Sequence, residues 1–192
     1  TWSGQYEYME RAKKRLGYVV PLTLSIIVVL LYISFRSFGQ VVILMGSMPL
    51  ALVGSAWLMY LLNFNFSIAV GVGMIALAGV AVETGVIMLV YLDQAWKKLT
   101  TDSAEDISAE ALQSAILDGA SLRVRPVLMT AGATIAGLLP ILFGSGTGSE
   151  VMSRLAAPMV GGMISSVLLT LLVIPAIYLL WKRPLLDKTV VH

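Results

Sequence analysis

The chain has 192 residues, of which 58% are hydrophobic and 12% charged, and its mean hydropathy is +0.88. Charged residues make up about a quarter of an ordinary soluble protein, so this composition excludes that class and predicts a membrane protein. The formal net charge of +2 is spread over the polar segments, which excludes nucleic acid as an expected partner. Without Cys, the chain can form neither a disulfide nor a thiolate metal site.

The first 15 residues are polar and charged, with Tyr6 and Tyr8 preceding four basic residues between Arg11 and Arg15. This pattern suits a helix that descends to the bilayer surface with its aromatic rings near the interface. It suits the solvated end of a further domain equally well. The stretch lacks the short apolar region and cleavage site of a secretory signal.

Four uncharged runs follow, and each reaches the roughly 20 residues needed to cross a hydrocarbon core of about 30 Å. The second run, residues 37–82, has 46 residues, enough for two crossings, and Asn63-Phe64-Asn65 is its natural turn. The predicted fold class is therefore all-α, a polytopic membrane segment of five transmembrane helices. The predicted spans are residues 18–36, 41–61, 66–92, 125–143 and 155–181.

The one long polar connection, residues 93–125, contains apolar residues at helical spacing, among them Leu112, Ala115 and Ile116. We predict an additional helix over about 103–121 that lies along the membrane surface. The alternative is a helix in the connection that packs on protein.

The distribution of Lys and Arg predicts the orientation of the chain. These residues number eight in the flanks on the side of the connection 93–125 and five on the other side, which predicts an external N-terminus and a cytoplasmic tail over 184–192.

Glu83 is the only charged residue between Arg36 and Asp93. It lies about four residues, or roughly 6 Å, from the middle of the predicted third span, where an acid costs roughly 2.5 to 3.5 kcal/mol to insert. Its four-three spacing with Ala69, Gly73, Ala76 and Val80 predicts a small-residue stripe that faces another helix. Glu83 is then either a proton relay or a permanently protonated structural acid.

Three further residues are candidates for function. Thr130 could hydrogen-bond across helices or hold a proton wire, or it could bond its own backbone. Arg123, beside Pro126, suits a positively charged anchor at the internal surface. Met152 lies in a polar external segment, residues 150–154, where a thioether has little packing reason and could bind monovalent copper or silver. Most of the ten methionines are interpreted as packing residues.

The sequence gives little support for an enzyme or for a cofactor site. Catalytic Ser/His pairs and clusters of metal ligands are missing, and Glu83 is the sole acid within the predicted spans. The glycine-rich segment Gly144–Ser149 lacks the Gly-Lys-Ser/Thr ending of a phosphate-binding loop, so we predict an external turn there.

The chain contains three motifs, GVAVETGVIMLVYL (Gly79–Leu92), RVRPVLMT (Arg123–Thr130) and GSEVMSR (Gly148–Arg154). Together they resemble the C-terminal membrane half of a resistance-nodulation-division exporter. More narrowly, the chain resembles the heavy-metal-efflux branch for monovalent copper and silver. Residues 1–16 resemble the end of a periplasmic region with a lead-in helix, and residues 17–183 resemble helices eight to twelve of a twelve-helix fold.

The resemblance implies a proton antiporter in the inner membrane of a Gram-negative bacterium, working as a homotrimer with a periplasmic adaptor and an outer-membrane channel. Glu83 stands where drug-exporting relatives typically have a lysine, and Arg123 and Thr130 match the proton pathway. Met152 matches a methionine of the metal path. One departure is Val127, since copper and silver exporters usually have a lysine after the Arg-Pro pair.

Two rival functions stay open. A transporter of the same fold could export drugs or lipids instead of metal ions. A non-transporting membrane scaffold would use Glu83 only for structure. Membrane lipid is an expected partner in every case.

Overall fold

The computed structural model describes residues 3–102 and 109–189, and its regular structure there is entirely helical. A π-helical turn, Leu169–Val173, joins the last two helices into one continuous helical segment. The helices are α1 (Ser3–Phe35), α2 (Phe38–Leu61), α3 (Ile68–Asp102), α4 (Ala109–Leu142), α5 (Ser149–Leu168) and α6 (Ile174–Thr189).

Five helical stretches are long and apolar enough to cross a membrane, as the sequence predicted. They are Glu10–Phe35, Phe38–Leu61, Ile68–Thr101, Ala109–Leu142 and Ser149–Pro184. The predicted all-α, five-helix fold class is confirmed. The direction in which the chain crosses the bilayer stays a prediction.

The turn predicted at Asn63 is confirmed, because α2 ends at Leu61 and α3 begins at Ile68. Asn63 has φ 52°, a left-handed conformation that Asn tolerates better than most residues. The glycine-rich turn is confirmed too: α4 ends at Leu142, and Gly146 and Gly148 have φ of 146° and 86°. Such angles suit glycine, which has no Cβ to clash.

The predicted surface helix over 103–121 is not a separate element in residues 109–121, and residues 103–108 lie outside the described residues. Residues 109–142 form one helix, and the apolar stripe of its first turns is buried, with Leu112 and Ile116 at 0% and 1% exposure. The stripe is thus used for packing on protein. Hydropathy failed here because an apolar stripe looks the same whether protein or lipid covers it.

Contacts divide the chain into residues 1–42 and residues 43–192. The first unit holds α1 and the first residues of α2. In α1 the pairs Arg11–Glu7 and Lys14–Glu10 are i,i+4 ion pairs with nitrogen–oxygen distances of 2.6 and 3.6 Å. Much of its apolar surface is exposed, as Tyr18, Leu22 and Leu30 show.

The second unit is built around α5. Its glycines approach α2 and α3 so closely that a Cβ built on Gly161 would lie 2.5 Å from the carbonyl oxygen of Gly54. Two hydroxyls join the helices, with Ser55 Oγ donating to the carbonyl of Pro158 at 2.6 Å and Ser165 Oγ donating to that of Ala51 at 2.7 Å. Small residues and hydroxyls of this kind are what hold transmembrane helices together.

Replacing Gly161 with Leu should therefore separate α2 from α5. We expect a loss of about 1 to 3 kcal/mol of stability, since overpacking a dense interface forces backbone shifts. The thermal unfolding midpoint of the detergent-solubilised protein measures the effect. Gly132→Leu is the matched control, because Gly132 is exposed and a Cβ there meets no heavy atom within 4 Å. A midpoint for Gly161→Leu equal to that of the control would contradict the role given to this contact.

Candidate functional site

Glu83 lies on an exposed face of α3. The same face carries other exposed residues three or four positions apart, namely Ile68, Val72, Ile75, Ala76 and Gly79. The predicted small-residue stripe does not face a single helix. Gly73 packs on Leu155 and Pro158 of α5, whereas Ala76 and Glu83 are exposed. At about 100° per residue, Gly73 and Glu83 point about 80° apart, and the edge of the contact with α5 runs between them.

Thr130 is exposed on α4, and its Oγ1 donates to the carbonyl oxygen of Pro126 at 2.9 Å. Thr134 in turn donates to the carbonyl of Thr130, also at 2.9 Å. Both hydroxyls therefore donate hydrogen bonds to backbone carbonyls four residues earlier in α4. For Thr130 this is the predicted alternative to a hydrogen bond across helices.

The helices α3 and α4 run antiparallel, because only residues 103–108 separate them in the chain and Gly119, near the start of α4, packs near the end of α3. A Cβ built on Gly119 would lie 3.0 Å from the Cβ of Ala95 and 3.4 Å from the carbonyl oxygen of Tyr91. Gly119 is thus level with residues 91–95 of α3, and counting equal numbers of residues along the two helices places Glu83 level with residues 127–131 of α4. Thr130 falls within that range, so the two candidates lie within about 4.5 Å of each other in depth. The fold thus brings them to similar depths on exposed faces of neighbouring helices.

Arg123 packs on α3 instead of extending as a simple surface anchor. Its guanidinium carbon lies 5.0 Å from the centroid of the Tyr91 ring, a cation–π contact. Its Nε is buried and has no hydrogen-bond partner among the described residues. Arg123 lies about 6 to 12 Å from Glu83 along the helix axis by the same count.

Met152 lies in the first turn of α5, because this helix begins at Ser149 and not at the predicted residue 155. Its amide donates to the carbonyl of Gly148 at 3.3 Å, and its side chain is 57% exposed. The predicted span began at about residue 155 because it followed charge, yet α5 continues through the charged residues Glu150 and Arg154.

Met152 and Glu83 occupy different depths of the fold. The helices α3 and α5 run parallel, since Gly73 meets Leu155 and Pro158, and Gly162 meets Leu77. In that register Met152 is level with about residue 68, fifteen residues from Glu83, or about 22 Å along the axis. A metal ion at Met152 could not touch the acid.

A cluster of charged and aromatic residues that sequence reasoning missed joins α3 to α6. Asp93 accepts a hydrogen bond from the buried Tyr178 hydroxyl at 3.3 Å and pairs with Lys97 Nζ at 2.9 Å. Lys182 Nζ lies 4.8 Å from the ring centroids of both Trp96 and Trp181. The signal was present in the sequence, since Trp, Tyr and Lys gather where helices leave the hydrocarbon.

Comparison with known proteins decides the family. The model of the AcrB/AcrD/AcrF family matches residues 1–182. The chain belongs to the AcrB/AcrD/AcrF family. The resemblance to resistance-nodulation-division exporters is thereby confirmed.

Heavy-metal members of the AcrB/AcrD/AcrF family are similar to this chain over nearly its whole length. The cation efflux system protein CusA of Escherichia coli K12 is 52% identical over 182 residues. The cobalt-zinc-cadmium resistance protein CzcA of Cupriavidus metallidurans is 38% identical over 183 residues. These matches cover 94% and 95% of this chain but only 17% and 16% of the relatives, so the chain spans about a sixth of their length.

A crystal structure of a heavy metal efflux pump has the same fold, with a TM-score of 0.78 and 34% identity over 94% of this chain and 17% of that one. The chain is accordingly a multi-span membrane protein of the AcrB/AcrD/AcrF family.

Val127, buried to 3% exposure and within about one helical turn of the level of Glu83, offers a test of this arrangement. A lysine there should be tolerated only if its ammonium reaches the Glu83 carboxylate. We expect Val127→Lys to lower stability by about 3 to 5 kcal/mol more in a Glu83→Gln background than in the wild type, because the buried charge then lacks its partner. Thermal unfolding of the four proteins of this mutant cycle measures the difference.

Val127→Met, of similar length without the charge, is the control for size. Equal losses from Val127→Lys in both backgrounds would show that the two positions do not meet.

Proposed function

We propose that this chain is part of a proton-driven exporter of monovalent copper or silver ions, acting in the inner membrane of a Gram-negative bacterium. The observation that carries the proposal is Glu83, a lone acid deep in a span and on an exposed face of α3. A carboxyl group in that position costs free energy unless other protein or water covers it, and such residues mark proton relays.

In the proposed mechanism, Glu83 gains a proton from one side of the membrane and releases it to the other. Desolvation favours the neutral acid, whereas a nearby cation or a chain of waters favours the carboxylate, so a change of surroundings moves the proton. Arg123 and Thr130, at neighbouring depths, complete the proposed relay. Further elements of the complete transporter would cover the exposed face, since the relatives are far longer than this chain.

Metal ions rather than drugs are proposed as cargo on two grounds. The matched relatives are a cation efflux system protein, at 52% identity, and a cobalt-zinc-cadmium resistance protein, at 38%. Met152 presents an exposed thioether at one end of the fold, and thioethers select soft monovalent ions. The ion is a substrate that passes on by exchange between ligands. A homotrimer with a periplasmic adaptor and an outer-membrane channel is proposed on the family resemblance.

Val127 favours a second candidate. An apolar residue at this position is what many drug-exporting relatives carry, so an exporter of drugs or lipids with the same fold is the rival proposal. The two differ in whether Met152 binds the cargo.

Replacing Glu83 with Gln should abolish coupling, because the amide cannot ionise. In liposomes that contain the complete transporter and carry a pH gradient, silver-dependent proton flux should fall to the level of protein-free liposomes. Glu110→Gln, at an exposed acid near the start of α4, should leave the flux unchanged. Normal silver transport by Glu83→Gln would refute the relay, and a scaffold would show no flux in any variant.

Replacing Met152 with Ile should weaken silver binding by about tenfold, equal to roughly 1.4 kcal/mol. Isothermal titration of silver against the complete transporter measures this. Met129→Ile is the matched control, since Met129 is similarly exposed at 65% but lies on α4. Identical silver binding by all three proteins would favour the drug or lipid exporter.

A further inference from the structure

Where α3 and α4 leave the hydrophobic part of the fold, they continue side by side and enclose a groove of about 430 Å³. Gln94 and Lys98 lie on its α3 wall, Asp118 lies on its α4 wall, and Gly119 lies between. Tyr91 and Leu122 line the end nearer the hydrophobic part. The volume lies within the roughly 300 to 1,000 Å³ of typical small-ligand sites.

The two walls carry opposite charges that do not neutralise each other. Lys98 and Asp118 are both exposed, and neither has an ion-pair partner among the described residues. The neighbouring Lys97 differs, because it pairs with Asp93 outside the groove. The groove is therefore complementary to a ligand that has a cation and an anion a short distance apart.

Aromatic residues indicate that the groove lies at the depth of the lipid headgroups. Trp96, Tyr178 and Trp181 gather around Lys182 at the same level of the bundle, and such aromatic residues mark the membrane interface. Lys98 lies five residues, about 7.5 Å, beyond Asp93, the first acid after the apolar stretch. The headgroup layer on each side of a bilayer is about 5 to 7.5 Å thick, which places Lys98 near its outer edge when counted from Asp93.

We propose that this groove binds the headgroup of phosphatidylethanolamine, a zwitterionic phospholipid. Asp118 accepts hydrogen bonds from the ammonium group, and Lys98 donates to the phosphate from the opposite wall. Leu122, 66% exposed at the end nearer the hydrocarbon, contacts the upper part of the acyl chains. A purely anionic headgroup fits less well, because it would bring a phosphate to Asp118 without a cation between them. This site is independent of the proposed transport function.

Native mass spectrometry of the protein in mild detergent, with phosphatidylethanolamine and phosphatidylglycerol of matched acyl chains, tests the proposal. Asp118→Asn should weaken binding of phosphatidylethanolamine about tenfold, the worth of one charge-assisted hydrogen bond, and leave phosphatidylglycerol binding unchanged or stronger. Lys98→Gln should weaken both lipids. The matched controls are Glu110→Gln and Lys97→Gln, which remove equal charges outside the groove and should alter neither.

A second measurement requires no variant. A photoactivatable phosphatidylethanolamine, with its reactive group on the headgroup, should label peptides that contain residues 94–98 and 115–122 of the unmodified protein. Labelling elsewhere, or equal lipid binding by the groove variants and their controls, would overturn the proposal. So would tighter binding of phosphatidylglycerol than of phosphatidylethanolamine, which would make this a site for anionic lipid. Full competition by soluble phosphoethanolamine would assign the groove to a free metabolite.

Discussion

The close approach of α5 to α2 and α3 is the contact on which the rest of the second unit depends. Apolar side chains gain little by leaving lipid for protein, so helices in a membrane associate through dense packing and hydrogen bonds. Gly54, Gly161 and Gly162 permit that packing, and Ser55 and Ser165 add hydrogen bonds to carbonyls of the facing helix. With α5 fixed in this way, the continuous segment that follows brings Tyr178 of α6 to Asp93 of α3.

This packing also decides which part of α3 stays exposed. Along α3, Gly73 contacts α5, Gly85 contacts α2 and the start of α6, and Tyr91 and Ala95 contact α4. At about 100° per residue these four residues lie within an arc of about 120°. The remaining side carries Glu83. A carboxyl group on lipid would cost several kcal/mol. The exposed position of this acid is therefore the strongest physical argument that another protein surface or a water-filled path meets α3 there.

Much of the fold could be predicted from the sequence, because hydropathy reports the length of a span directly. The five spans and the turn at Asn63 follow from runs of uncharged residues that exceed the thickness of the hydrocarbon. The start of α5 and the continuity of α4 could not be predicted in this way. Backbone hydrogen bonds continue through Glu150 and Arg154, and hydropathy does not detect them.

The candidate site was harder to predict than the fold. Glu83 was chosen only from its position near the middle of the predicted third span. The surface that it faces depends on the rotation of α3, since Glu83 points about 80° away from Gly73. Residues at four-three spacing cover a stripe about 80° wide. The spacing alone therefore does not show that Gly73 and Glu83 face different surroundings. The Asp93–Tyr178 contact joins residues 85 positions apart, and no local pattern encodes such a pair.

The distance of about 22 Å along the axis between the levels of Glu83 and Met152 restricts any mechanism that uses both. At that separation the Glu83 side chain cannot touch an ion bound at Met152, so direct contact does not couple the two. Coupling then requires an element that moves as a unit and has two positions. The helices α3 and α5 suit this role, because they run parallel and are locked by glycine contacts at Gly73 and Gly162. A shift of α3 caused by protonation of Glu83 would carry the start of α5, and with it Met152, in the same direction.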